Sequence, residues 1–546
     1  MFVIKIGNKE YEYQDSITLK DLANKLNVEA YVAKVNNSLR ELNYYINYNC
    51  EVEFLDLKNF DAVRVYETSL RYIIIMALEN LYKDVKVFFS QCVSRSISCN
   101  VSGVNQKIDA NFLNKLRKEM ERIVNADYPI TRKTISKEEA REIYSKKGYF
   151  DKNEVLEYRE QNEVNIYTCD NYVNYLFGYM VPSTGYLKKF ALRLYTPGFV
   201  VQFPRAENGG EIPPFEDSPS FGKMLADARK WSRDCDCNTI PLLNKHTKKD
   251  SVCDLVNICE AKHTNMLAEL GDIIKKNIGD IRLICIAGPS SSGKTTFSHR
   301  LRIELLSRGI KPIKISMDDY YLNRDQAPVD EFGELDLEHV KALDINLFNE
   351  NLLDLIQGEE VQLPVFDFKK GCRILGPKVK ISSDIPIIIE GIHALNEEVT
   401  KLIPKHQKFK IYISPLSQIN IDAHNPIPAT EIRLLRRIVR DSKYRKTNPA
   451  DTFAMWPSVR RGEFKWIYPY QEQADYIFNS ELTYELGVMK KYALPVLASI
   501  PRKDEYFITA NRLTKFLKYV QDIDDRYVPC NSLLREFIGD SCFYDF

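Results

Sequence analysis

The sequence carries almost no net charge. Its 76 Lys and Arg residues face 75 Asp and Glu, leaving a formal +1, which excludes a polybasic chain built to coat nucleic acid or an anionic membrane. Glycine and proline are scarce, 22 and 24 of 546 residues, too few for a fibrous or disordered chain. No run approaches the ~18 uninterrupted apolar residues of a membrane span, so no membrane partner is expected. The opening MFVIKIGNKEYEY lacks the basic segment, apolar run and small-residue cleavage site of a secretory signal. Twelve cysteines are scattered, one of them (Cys285) in a strongly apolar run; reduced thiols in a cytoplasmic protein are the expectation. Repeats and low-complexity tracts are absent as well. What is present is a hydrophobic share of 44% in a chain of 546 residues. One core stops growing at about 250–300 residues, so about three or four domains are expected.

Residues 1–60 read as a small α/β unit. Phe2, Ile4 and Ile6 alternate as in a strand, Thr18 with Leu19, Leu22 and Leu26 marks a capped helix, and 30–35 and 50–55 read as further strands. Residues 61–210 read as a second α/β unit that begins with a helix over 69–82. Residues 211–280 form a linker with helices near 221–231 and 255–276, after a loop holding Gly209-Gly210 and Pro213-Pro214. Cys235, Cys237, Cys253, Cys259 and His263 match no common zinc spacing; buried thiols and a packed imidazole are expected there.

The chemistry concentrates after residue 280. Ile281–Ala287 is an apolar run suited to a buried parallel strand. It leads into Gly288-Pro289-Ser290-Ser291-Ser292-Gly293-Lys294-Thr295-Thr296, a GxxxxGK(S/T) loop followed by a helix-compatible segment. The two glycines let backbone amides turn toward phosphates, Lys294 supplies charge to the β- and γ-phosphates, and the Thr295 hydroxyl suits Mg²⁺. A nucleotide, ATP, is the expected cofactor. No base-reading NKxD follows, which argues against a GTPase. Ile313–Tyr321 runs as a strand into Asp318 and Asp319. Ile385–Glu390 is a second apolar strand ending in an acid, followed by His393, read chiefly as structural. Arg433, Arg436 and Arg440 share one face of a helix expected over 431–448, with Arg437 and Arg445 beside it.

Two resemblances are carried by these motifs. Val35-Asn36-Asn37, Glu41-Leu42, Ile46 and Cys50-Glu51-Val52 resemble a TGS module, a β-grasp fold. Tyr167–Gly185, with its Val181-Pro182-Ser183-Thr184-Gly185 run, and 77–86 resemble the second, editing-type N-terminal domain of threonyl-tRNA synthetases. That family's HxxxH and CxxxH positions fall here on Thr68, Tyr72, Leu176 and Met180, none a good zinc ligand. The resemblance therefore implies a kept fold with a structural or binding role. From Gly288 to about residue 488 the chain resembles the uridine kinase and phosphoribulokinase group, which implies an α/β P-loop kinase with a parallel sheet flanked by helices, and a C-terminal extension over 489–546.

The kinase resemblance implies roles. Asp318 is the base for a ribose hydroxyl and lies near Mg²⁺, with Tyr321 at its side. Glu390 is a second Mg²⁺-side acid. Arg433, Arg436 and Arg440 belong to a lid that meets the transferring group. Asp336 and Glu338 hold acceptor hydroxyls, and Phe366, Asp367, Phe368 and Arg373 follow the acceptor motif. Phe366 and Gly371 replace a Tyr and a His that contact nucleosides in uridine kinases. Trp456 and Trp466 read as packing. The expectation is a multidomain ATP- and Mg²⁺-dependent kinase of uridine or cytidine. A kinase of another small hydroxyl compound such as a sugar phosphate is the alternative. A non-enzymatic RNA- or ribosome-associated nucleotide switch is the rival from another class, and the near-neutral charge counts against it. The donor preference, a homo-oligomeric state and the role of the N-terminal half stay open at this point.

Overall fold

The computed structural model describes residues 1–248, 251–330, 333, 335–367 and 370–543; Phe368 lies outside them. At the N-terminus a five-stranded mixed sheet runs Lys9–Tyr13, Phe2–Ile6, Cys50–Leu55, Val32–Val35, Ser38–Arg40. The first strand and Cys50–Leu55 pair in parallel, and a short helix, Leu19–Lys25, covers one face. Its cap is the expected one: Thr18 accepts from the Asp21 amide. Phe2, Ile4, Val35 and Val52 alternate inward with Leu19 and Leu22 to form this core.

The next unit begins with Phe60–Leu81, nine residues earlier than the 69–82 expectation. Asn59 caps it through the Asp61 amide, a polar start that the apolar pattern alone did not mark. This helix and Ala110–Ala126 pack on a four-stranded antiparallel sheet, Ala191–Tyr195, Gly198–Gln202, Ile97–Ser102, Lys86–Gln91. Thr68, Tyr72, Leu176 and Met180 are all buried in this unit. Tyr72 donates to the carbonyls of Tyr167 and Tyr172, and Thr68 accepts from Arg71.

The kinase-like half is organised by a five-stranded, all-parallel sheet in the order Ile313–Ser316, Ile387–Glu390, Leu283–Ala287, Lys408–Ser414, Tyr476–Asn479. Both faces are covered, which is why its strands read as continuous apolar runs. The two-residue period still sorts them. Ile284, Ile286, Ile411 and Ile413 face the helices Val252–Lys276, Lys294–Ser307, Ala429–Arg440 and Glu485–Ala498. Leu283, Cys285, Ile387 and Ile389 face Ile345–Gln357 and Pro219–Asp234. The strand Leu283–Ala287 is central, so the phosphate loop leaves the sheet at its middle, beside the carboxyl ends of its neighbours.

The two halves interlock. A kinase-half hairpin, Asn420–Asp422 with Asn425–Pro426, enters the second N-terminal unit. Lys152 and Asp422 form an ion pair at 3.1 Å, each side chain 1% exposed. Asp151 accepts from the Ala423 amide, Phe89 donates to the Ala423 carbonyl, and Arg71 donates to the His424 carbonyl. No helix among the described residues is long and apolar enough to cross a membrane.

Candidate active site

The phosphate loop is assembled as its residue types require. The helix Lys294–Ser307 starts immediately after Gly293, whose φ of +90° puts it in the left-handed region. That conformation suits glycine. Lys294 turns its Nζ back onto the loop, donating to the carbonyls of Gly288 at 3.0 Å and Pro289 at 3.4 Å. The Thr295 hydroxyl donates to Glu390 Oε1 at 3.3 Å, bringing the loop and the end of the second apolar strand together.

Four carboxylates bear on Lys294: Glu390, Asp318, Glu338 and Glu536. Burial, with the nearby Asp318 charge, raises the Glu390 carboxyl to about 7, against the pull of Lys294 and Lys314. Asp318 is raised too, by burial, while Lys294, Arg445 and Arg440 oppose the shift. Glu338 is likewise raised to about 7, by burial first, with Arg437 and Lys294 pulling it down, and its Oε2 is shut off from solvent. Asp319, the local competitor of Asp318, accepts from the Phe366 amide at 3.1 Å. Its carboxylate anchors the hairpin Val361–Asp367 with Cys372–Val379, which leaves Asp318 as the acid beside Lys294.

Of the residues expected on the acceptor side, Tyr321 and Asp336 bear electrostatically on this cluster. Tyr321 lies edge-on to Phe366, ring centroids 5.8 Å apart. Arg373 is paired with Asp344 at 2.9 Å. Asp336 is partly buried and accepts from His339 through its backbone carbonyl, and Asp367 caps the turn by accepting from the Lys370 amide. Gly371 adopts φ +69°, and an added Cβ would stand 2.6 Å from Arg324 Cδ. The turn itself therefore disfavours a larger residue at this position. Trp466 stands 4.6 Å from the His339 ring and 6.2 Å from that of His393. His393 is 1% exposed, and burial pushes its imidazole down to about 3.

The arginine row corrects the sequence reading in two ways. The helix expected over 431–448 ends at Arg440 and continues as one wide turn, Asp441–Arg445, before a second helix opens at Pro449 with Asn448 as its cap. A capped Pro at the first helical position starts a helix afresh. The arginines also do not act as one face. Arg436 is fully buried: it donates to Glu485 Oε2 at 2.6 Å, to the Ser480 carbonyl at 2.8 Å and to the Ser291 carbonyl at 3.4 Å. Arg433 is committed to Glu463 and to the Ser290 carbonyl. Buried guanidinium needs such partners, so these two brace the phosphate loop from behind. Arg437, Arg440 and Arg445 instead converge on the single buried carboxylate of Asp441, an excess of cation on the side of Asp318 and Glu338.

Sequence reasoning missed one group. Glu536, in the C-terminal turn Arg535–Ile538, accepts from the Thr296 amide at 3.1 Å. Leu533 from the same segment fills the space beside Gly293, where an added Cβ would lie 2.2 Å away. No local signal could have shown this, because 240 residues separate Glu536 from Thr296.

Comparisons with known proteins divide the chain along the same line. Residues 283–486 match the Phosphoribulokinase / Uridine kinase family. The uridine kinase of Ureaplasma parvum serovar 3 is 30% identical over 177 residues, 32% of this chain and 77% of that protein. The threonine–tRNA ligase of Thermotoga maritima is 33% identical over 187 residues, 34% of this chain but only 29% of the ligase; that of Bacillus subtilis is 30% identical over 186 residues, again 29% of its length. The chain thus spans less than a third of the ligases it matches. The solved structure of a possible uridine kinase from Bacillus stearothermophilus is 18% identical, covering 36% of this chain and 88% of that one, with a TM-score of 0.25.

Proposed function

We propose, from the premise that the chain belongs to the phosphoribulokinase/uridine kinase family, that it is a kinase transferring the γ-phosphoryl group of ATP to a hydroxyl of a ribonucleoside, uridine or cytidine. The observation that carries this reading is the convergence of Lys294, Thr295, Asp318 and Glu390 at the carboxyl edge of the parallel sheet. Lys294 and the amides of residues 288–296 hold the phosphates. Asp318 orients the acceptor hydroxyl and takes its proton, while Asp319 holds the acceptor hairpin. Arg437, Arg440 and Arg445 face the charge that builds up on transfer. Thr295, Glu390 and Asp318 form an oxygen-only donor set that fits Mg²⁺. Bound there, the ion would neutralise phosphate charge.

Glu338 and Asp336 are assigned to paired ribose hydroxyls, and Tyr321, Phe366 and Trp466 to the apolar walls of the acceptor pocket. The missing Tyr and His partners at Phe366 and Gly371 weaken the case for pyrimidine over another base. Residues 1–60, 61–210, 211–280, 281–488 and 489–546 are assigned as TGS-like, editing-like, connecting, kinase and tail segments. Twelve unpaired cysteines suit a cytoplasmic setting. A panel of nucleosides and small sugars incubated with ATP and Mg²⁺, with products separated by chromatography, tests the activity. Nucleoside monophosphate is expected, and Asp318→Asn should lower kcat by at least about a hundredfold. Phosphorylation of a sugar and of no nucleoside would reject the acceptor assignment.

A further inference from the structure

Between the second N-terminal unit and the kinase half lies an open cleft of about 610 Å³, within the size range of small-molecule sites. It lies outside the Lys294–Asp318 centre. One wall is Arg95 and Arg205 from the N-terminal half; the other is Arg433, Arg460 and Phe464 from the kinase half. Arg95 and Arg205 share one acid, Glu207, at 3.7 and 3.3 Å. Arg433 and Arg460 share another, the fully buried Glu463. Four guanidinium groups therefore stand against two carboxylates.

The other acids of the cleft do not close this gap. Asp61 and Glu431 are committed to Arg64 and Arg512 and Glu67 to Arg71, while the exposed Glu216 offsets one of the two surplus cations. Arg95 and Arg460, one from each half, both lie 4.7 Å from the centre of the Phe464 ring. Burial lowers the basicity of Arg205, and Arg460 and Arg95 add to the depression. Like charges held this close, partly out of water, are a site for an anion. The remaining excess of cation suits a phosphate group, and Trp456 and Tyr468 in the same wall offer faces for a ring.

We propose that this cleft is a second nucleotide site, which takes the phosphate of a nucleoside phosphate between Arg95, Arg205 and Arg460 and its base against the aromatic wall. The cleft is wired to the kinase centre from both ends of its kinase-side wall. Arg433 donates to the Ser290 carbonyl of the phosphate loop at 2.9 Å, and the wide turn Glu463–Ile467 carries Phe464 on the cleft side and Trp466 against His339. An occupant would therefore act as an effector rather than a substrate.

The test uses the full chain carrying Lys294→Ala, which cripples the phosphate loop, in equilibrium dialysis against UMP, UTP, CTP and ATP in turn. At least one is expected to bind at one equivalent per chain. Arg95→Ala added to that background should weaken it at least tenfold, and Arg95→Glu further, with the thermal midpoint held within about 2 °C to show that the fold survives. Phe464→Ala gives a second probe of the same wall and should also weaken binding. Absence of binding by all four nucleotides at millimolar concentration overturns the proposal. So does a dissociation constant that Arg95→Ala and Phe464→Ala leave unchanged, because the nucleotide would then sit in the phosphate loop. Inorganic phosphate binding as tightly as the nucleotides overturns the assignment to a nucleoside.

Discussion

Glu390 ends a strand of isoleucines at 7% exposure, next to a second acid and a lysine. Its carboxyl is raised to about 7, so the folded chain holds a proton there that the unfolded chain releases near its ordinary value of about 4.5. The sign follows from linkage: this contribution to stability is full below the unfolded value and is lost as pH rises through about 7. Without Mg²⁺, the thermal midpoint should fall between pH 5 and pH 8, and Glu390→Gln should flatten that slope by roughly 2–4 kcal/mol. A slope unchanged in the variant would show that Glu390 ionises normally. The strand-end position of Glu390 was legible in the sequence, because an acid closing an apolar run at a parallel sheet's edge has few structural uses. Its raised pKa was not, since that depends on burial by packed neighbours first and on Asp318 arriving from a distant segment, against the pull of Lys294.

At the scale of elements, the helix Ala429–Arg440 divides its cations by depth. Arg433 and Arg436 are sealed against Glu463 and Glu485 and hold loop carbonyls; Arg440 and the turn after it stay on the side of the acids. Helical spacing put Arg433, Arg436 and Arg440 on one stripe, but it did not reveal that Glu463 and Glu485, from two later helices, would claim the first two. The C-terminal turn behaves similarly. Glu536 occupies an amide of the phosphate loop, and its charge bears on Lys294. A carboxylate there repels incoming phosphate. Glu536→Gln is expected to lower the KM for ATP roughly three- to tenfold, the effect of about 1 kcal/mol, with kcat little changed. A raised KM would mean that the tail supports nucleotide binding.

At the scale of the molecule, the hairpin 420–426 joins the halves through a buried ion pair, Lys152 with Asp422. Removing one partner strands a charge in the interior at a cost of about 3–5 kcal/mol. Asp422→Ala should lower the denaturation midpoint accordingly, while Lys152→Met with Asp422→Leu should recover much of the loss. Equal damage by the single and double variants would show that the pair is not what couples the halves. The hairpin lies beside Arg71, Asn174 and Tyr149 of the N-terminal unit, so part of the interior of the editing-like unit is taken up by the kinase half.

The sequence by itself determined the local chemistry. A glycine-bounded loop after an apolar strand, acids at strand ends and an arginine-rich helix depend on neighbours within about a dozen positions, and short-range patterning records such neighbours directly. Tertiary structure decided which of those groups are spent on one another. Arg433 met Glu463, Asp319 met the Phe366 amide, Glu536 reached Thr296, and two cation pairs from opposite halves closed on one cleft. Each meeting crosses tens to hundreds of residues, and each is set by the need of a buried charge for a partner, a requirement satisfied only once distant segments pack together.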